Sequence, residues 1–309
     1  MTVLFYTHPS GLGHDTGPGH PERPERLEAL LEAVEAAAIP GLERREAGPA
    51  SLEQIHRVHP GSYAEAILAR VPREGHARLD PDTVISPGSG EAALHAAGAA
   101  CAAVDAVLAG EARRAFCAMR PPGHHAEPAR ANGFCLFNNV AIAALQAREI
   151  HGVRRIAILD FDVHHGNGTQ AAFWDDPQTL FVSTHQWPLF PGTGAAAERG
   201  VAGNILNLPL ASGTGSQDYR ELVSERVLPA IDAFAPELVL LSAGFDAHRA
   251  DPLASLSLVE EDFAWITSRA VELATSHAKG RVVSVLEGGY DTLALARSTV
   301  AHLQALADA

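Results

Sequence analysis

The chain has 309 residues, 47% of them apolar and 19% charged. That composition supports a large core and excludes intrinsic disorder. The formal net charge of −14, with no cluster of Lys or Arg, excludes an ordinary nucleic-acid grip. The first residues, Met1-Thr-Val-Leu-Phe-Tyr6, carry no basic segment ahead of an apolar one, so no secretory peptide is expected. Three cysteines without a CxxC pair give neither a disulfide framework nor a thiolate zinc site. The expectation is a cytoplasmic protein with no membrane and no nucleic-acid partner.

Along the chain, short Val/Ile/Leu-rich runs alternate with Ala/Leu/Glu-rich segments of helical period. The first pair is a strand over 3–6 and a helix over 24–38. A helix over 91–108 follows, interrupted by His95 and Asp105 and therefore read as too polar to span a bilayer. Strands over 115–119, 155–160, 180–183, 237–242 and 281–286 then alternate with helices over 138–150, 217–234, 259–277 and 292–307. Near-continuous apolar strands of this kind are buried on both faces, as in a parallel sheet. The βαβ rhythm predicts an α/β fold: one open, mostly parallel sheet flanked by helices on both faces. No repeat, linker or low-complexity tract interrupts it, which predicts a single domain over 1–309.

Ligands in such sheets bind beyond the carboxyl ends of the strands. Five of the runs end in chemistry. They lead into Arg120-Pro-Pro-Gly-His-His125, Asp160-Phe-Asp-Val-His-His165, Ser183-Thr-His185, Ser242-Ala-Gly-Phe-Asp-Ala-His248 and Glu287-Gly-Gly-Tyr290. Asp160, Asp162 and His164 are spaced i, i+2, i+4, which in extended backbone turns all three to one side. Singly, such residues cap turns or sit satisfied in a core. Together with Asp246 from a neighbouring strand they form a metal site. Two carboxylates and an imidazole leave a position open for water or substrate, as catalytic zinc requires.

The tandem His124-His125 has a different chemistry. Two imidazoles beside an activated water are natural proton carriers near neutrality. Asp160 is the candidate to orient one of them and Asn167 the other. Tyr290 follows two glycines, which permit close backbone approach to a buried site. Its phenol can donate to an oxyanion without bringing charge.

These residues resemble the zinc-dependent histone deacetylase family, most closely its class II-like and bacterial members. The likeness rests on Pro121-Pro-Gly-His-His-Ala126, Asn132-Gly-Phe-Cys135, Leu159-Asp-Phe-Asp-Val-His-His-Gly-Asn-Gly-Thr-Gln170, Phe190-Pro-Gly-Thr-Gly194, Ser242-Ala-Gly-Phe-Asp-Ala-His248 and Glu287-Gly-Gly-Tyr290. The segment Gly19-His-Pro-Glu-Arg-Pro-Glu-Arg26 is similar to that family's first loop. The matches run in order from about residue 8 to 291.

The resemblance implies an arginase/deacetylase fold and one zinc held by Asp162, His164 and Asp246, with ferrous iron as the alternative ion in cells. It implies His125 as the general base, His124 oriented by Asp160, and Tyr290 as the oxyanion donor. Gly133, Phe134, Phe190 and Leu253 would line a narrow channel for an alkyl-amine chain. A monovalent cation such as potassium would sit near Asp160, Asp162, His164 and Ser183. Arg26 would stand beside an inner cavity that receives the released acid.

The implied reaction removes acetyl or other short acyl groups from lysine side chains in protein or peptide, releasing carboxylate and free amine. Asn167 stands where class I members often have Asp. Polyamine-preferring relatives carry an acidic residue in the loop after the third metal ligand; Leu253 aligns there, although Asp251 is close. That favours acyl-lysine and keeps an acetylpolyamine amidohydrolase as the alternative, with an inactive acyl-lysine binder as the non-enzymatic one. An arginase-like dimanganese hydrolase would need more bridging carboxylates. No G-x-S-x-G elbow supports a serine hydrolase, and no complete G-x-G-x-x-G supports a nicotinamide enzyme.

Overall fold

In the computed structural model, which describes residues 1–308, the apolar runs become strands of one sheet. The strands are β1 (Val3–Tyr6), β2 (Leu42–Arg45), β3 (Ala77–Arg78), β4 (Val84–Ile85), β5 (Arg114–Cys117), β6 (Ile156–Asp160), β7 (Thr179–Gln186), β8 (Ile205–Leu210), β9 (Leu238–Ala243) and β10 (Val282–Leu286). Eight of them pair in the order β2-β1-β5-β10-β9-β6-β7-β8, every pair parallel, while β3 and β4 form a separate antiparallel pair. The helices are α1 (Pro24–Ala37), α2 (Leu52–His56), α3 (Gly61–Ala69), α4 (Ser89–Ala109), α5 (Asn139–His151), α6 (Asn167–Ala172), α7 (Ser216–Leu222), α8 (Leu228–Phe234), α9 (Glu260–His277) and α10 (Thr292–Asp308).

Successive strand residues point to opposite faces, so the buried strands feed two cores. On one face Val3, Phe5, Phe116, Leu159, Val239 and Leu241 pack with Leu27 of α1, Ile266 and Val271 of α9, and Leu303 of α10. On the other, Leu4, Ala115, Ile158, Leu240 and Val283 pack with Ala96, Ala100 and Val104 of α4 and Val140 and Ala144 of α5. Helices therefore cover both faces, as the alternation predicts.

Several elements differ from the sequence reading. The edge strands β2 and β8 were not predicted. β2 is Leu-Glu-Arg-Arg, too polar to read as buried strand, and β8 carries Pro209, which an edge tolerates because one side needs no ladder donor. The helix predicted over 217–234 is α7, one π-type turn over Val223–Val227, and α8. β6 stops at Asp160, and the chain bends through 162–164 rather than continuing extended. Finally, α4 is long and apolar enough to cross a membrane by length and composition, contrary to the reading from His95 and Asp105. Its burial accounts for that composition, since 72% of its most apolar window is buried inside the fold.

Candidate active site

Four adjacent strands, β5, β10, β9 and β6, end on the same side of the sheet, and each delivers part of the site. After β6, Asp162 and His164 lie buried; after β9 comes Asp246, also fully buried. Ligand atoms of these three residues all lie within 4.8 Å of one another. His164 Nδ1 is 3.1 Å from Asp162 Oδ1 and 3.0 Å from Asp246 Oδ2. The carboxylates are aimed by main-chain donors: His164 N–H and Gly288 N–H donate to Asp162 at 2.9 and 2.8 Å, and Val163 N–H donates to Asp246 at 2.9 Å. Gly288 is required here, because a Cβ at that position would run into the carboxylate oxygens of both Asp162 and Asp246.

The electrostatics of the cluster call for a cation. Burial opposes charge on His164, yet its hydrogen bonds to Asp162 and Asp246 outweigh that and lift the imidazole to about 10. Burial, then repulsion from Asp162, pushes Asp246 up to about 7. Two carboxylates and an imidazole converging in a buried pocket fit a divalent ion of zinc type, and the donor set leaves at least one coordination position free. Asp160 is not in this cluster. It accepts from His124 Nδ1 at 3.0 Å.

His124 and His125 follow β5 and are both buried. Burial disfavours a charged His124, but Asp162 and Asp160 outweigh it and raise its pKa well above the ordinary value. His125 goes the other way: burial, then the neighbouring His124 and His164, lower it well below the ordinary range. Its Nδ1 is 2.8 Å from Asn167 Oδ1, while Asn167 Nδ2 donates to Glu127 at 2.8 Å. The Asn167 oxygen can only accept, so His125 Nδ1 carries the proton and Nε2 presents a lone pair. Asn167 opens α6, and the N–H of Gly168 donates to the His124 carbonyl at 3.0 Å, fixing helix and tandem-histidine turn together.

Seven of the predicted residues, His125, Gly133, Phe134, His164, Phe190, Leu253 and Tyr290, line a cavity of about 730 Å³. The Phe190 ring stands edge-on to His125, with centroids 5.0 Å apart, and Phe134 stands edge-on to Tyr290 at 5.8 Å. Gly133 has φ of +52°, and a Cβ there would strike the His125 ring. Ser183, proposed near a monovalent cation, is buried and bonds His185 Nδ1 at 2.9 Å. Arg26 is fully buried and sits 4.9 Å over the Tyr290 ring.

A model of the histone deacetylase domain matches residues 20–306. The chain belongs to the histone deacetylase family. It is 43% identical over 296 residues to a probable deacetylase of Archaeoglobus fulgidus, covering 94% of this chain and 82% of that protein. It is 45% identical over 287 residues to the histone deacetylase-like amidohydrolase of Pseudomonas aeruginosa, covering 91% and 74%. Against the polyamine deacetylase HDAC10 of Mus musculus it is 40% identical, covering 90% of this chain and 44% of that one. Among solved structures, the HDA15 HD domain superposes with a TM-score of 0.92 at 32% identity, covering 100% of this chain and 89% of that one. The fold is thus the arginase/deacetylase fold.

Within this deacetylase-family site, three features escaped the sequence. Glu287 Oε2 accepts the N–H of Gly123 at 2.7 Å and of His124 at 3.1 Å, so a buried carboxylate holds the tandem-histidine turn. The acid opening Glu287-Gly-Gly-Tyr290 was visible, but its reach across to the turn after β5 was not. A buried ion pair of Glu22 with Arg120 and Arg26 lies beneath the site; Glu22 falls inside the Gly19–Arg26 segment, with nothing in its spacing to pair it with Arg120. The cavity mouth adds His20, His76, Arg78 and Asp82, from the first loop and the β3–β4 hairpin.

Proposed function

We propose that this amidohydrolase removes acetyl or other short acyl groups from lysine side chains, with zinc at Asp162, His164 and Asp246. The observation that carries the reading is the convergence of those three buried donors, one of which, His164, lines the cavity together with His125 and Tyr290. Zinc supplies Lewis acidity toward an acyl carbonyl and toward the attacking water.

The chain's own residues supply the rest. His125, neutral and with Nε2 free, accepts the proton of the attacking water. His124, held cationic between Asp160 and Asp162, stabilises the negative charge that develops in the pocket, and the protonated His125 on the cavity wall passes its proton to the departing amine. Tyr290 remains a protonated phenol and donates to the oxygen that becomes anionic. Phe134 and Phe190 exclude water from the flanks of a methylene chain.

Leu253 on the cavity wall supports lysine over polyamine, because an apolar residue gives no partner to a distal ammonium. Asp251, the nearby acid, supports the same choice: both its oxygens accept main-chain N–H groups and it is 7% exposed. The test is a side-by-side assay of an acetyl-lysine peptide and acetylated putrescine. The expected result is a higher kcat/KM for the peptide. A higher value for acetylputrescine would replace lysine with polyamine as the substrate class.

A further inference from the structure

Asp251 lies in the loop between β9 and α9, five residues after Asp246. Its carboxylate faces inward. Oδ1 accepts the N–H of Leu253 at 2.9 Å; Oδ2 accepts the N–H of Tyr290 at 2.6 Å and that of Asp291 at 3.4 Å. One side chain thus joins two loops, the one that places Leu253 on the cavity wall and the one that carries the phenol.

The grip on Tyr290 is two-sided. The peptide unit between Gly289 and Tyr290 has its N–H on Asp251 and its carbonyl on Arg26, whose Nε donates to Gly289 O at 2.5 Å. Arg26 also donates to the Glu287 carbonyl at 2.6 Å, and its guanidinium covers the Tyr290 ring. A carboxylate and a guanidinium therefore hold the two ends of one peptide plane, and charge-assisted hydrogen bonds are the strong ones. That plane sets the direction of the Tyr290 Cα–Cβ bond. Gly289, at φ of +122°, leaves the preceding backbone in a conformation that other residues rarely hold, so the external clamp is what fixes it. Asp251 has no ion-pair partner among the described residues, so its buried charge is satisfied by these amides.

We infer that Asp251 is a positioning residue for Tyr290: it orients the phenol toward the developing oxyanion through the Gly289–Tyr290 peptide. The inference rests on the deacetylase reading above. Asp251→Asn tests it, since a carboxamide of the same shape offers one acceptor oxygen and cannot receive N–H groups on both sides. With zinc-loaded protein and an acetyl-lysine peptide, kcat is expected to fall about 10–100-fold, the scale of a small misplacement. KM should stay within about threefold and zinc content at one per chain.

The deciding comparison repeats the substitution in a Tyr290→Phe background. A ring without its hydroxyl loses nothing by being misplaced, so the double variant should match Tyr290→Phe within about twofold. A kcat for Asp251→Asn near that of the parent, or a loss that multiplies with that of Tyr290→Phe, would overturn the inference. Asp251→Ser runs the same cycle if the asparagine variant is not recovered folded, and failure of both to fold would assign Asp251 to stability instead. An inactive parent enzyme would sink the deacetylase reading itself, which keeps the two failures distinct.

Discussion

Burial raises the Tyr290 phenol well above its ordinary pKa, and the nearby Asp246 carboxylate raises it further, so the proposed oxyanion donor would enter the reaction protonated. Removing one donor of this kind costs about 2.7–4 kcal/mol. Tyr290→Phe is therefore expected to lower turnover roughly 10²–10³-fold with zinc content unchanged. Parent-like turnover in steady-state assays would remove Tyr290 from the chemistry. Asp246→Ala should behave differently, because it deletes one of three convergent ligands. Elemental analysis should find the metal largely lost from that variant, and full occupancy would show that Asp246 is not a ligand. Asp162, His164 and Asp246 were legible because side-chain ligands leave a residue-type signature beyond strand ends. Asp251 was not, since a carboxylate that acts on main-chain N–H groups leaves no second side chain to match.

At the scale of elements, the central strands β5, β10, β9 and β6 were readable from their unbroken apolar runs, and they are the ones that carry the site. The edges were not: β2 is polar with no buried residue, and Asn207 and Pro209 break up the apolar run of β8. The convergence of Asp162 and His164 was anticipated from an extended period, but the bends after Asp160 produce it.

α4 gives a prediction that propensity alone gets wrong. Gly98 sits mid-helix, where Ala is normally about 1 kcal/mol better. Here a Cβ would strike the Gly48 carbonyl oxygen and lie 2.7 Å from Ala50 N, in main chain that cannot swing aside. Gly98→Ala should thus destabilise the fold by about 1–3 kcal/mol. Chemical denaturation that found the variant more stable would show that the segment over 48–50 yields easily.

For the whole molecule, acid stability follows from histidines buried as neutral rings. Burial lowers His302 to about 3, where it bridges Thr267 and Ser284 inside the core, and lowers His59 to about 4. Burial likewise holds His185 at about 4. Their unfolded counterparts titrate near about 6.5. Since the folded pKa values are depressed, this stability is fully present above pH about 6.5 and is lost as pH falls toward 4. Each such histidine costs up to about 1.4 kcal/mol per pH unit in that window. Asp246 and Glu287, raised by burial to about 7, act in the opposite sense. The unfolding midpoint should therefore fall less between pH 7 and 4.5 in His302→Gln than in the parent, and an equal fall would contradict the buried neutral state of His302.

The proposed reaction needs one metal ion at one hydrolytic site. Zinc titrated into metal-stripped protein, with acetate release from an acetyl-lysine peptide followed at each addition, tests it most directly. Activity should rise to a plateau at one zinc per chain and vanish on chelation. Acetate release that survives complete metal removal, or none at any zinc level, would contradict it.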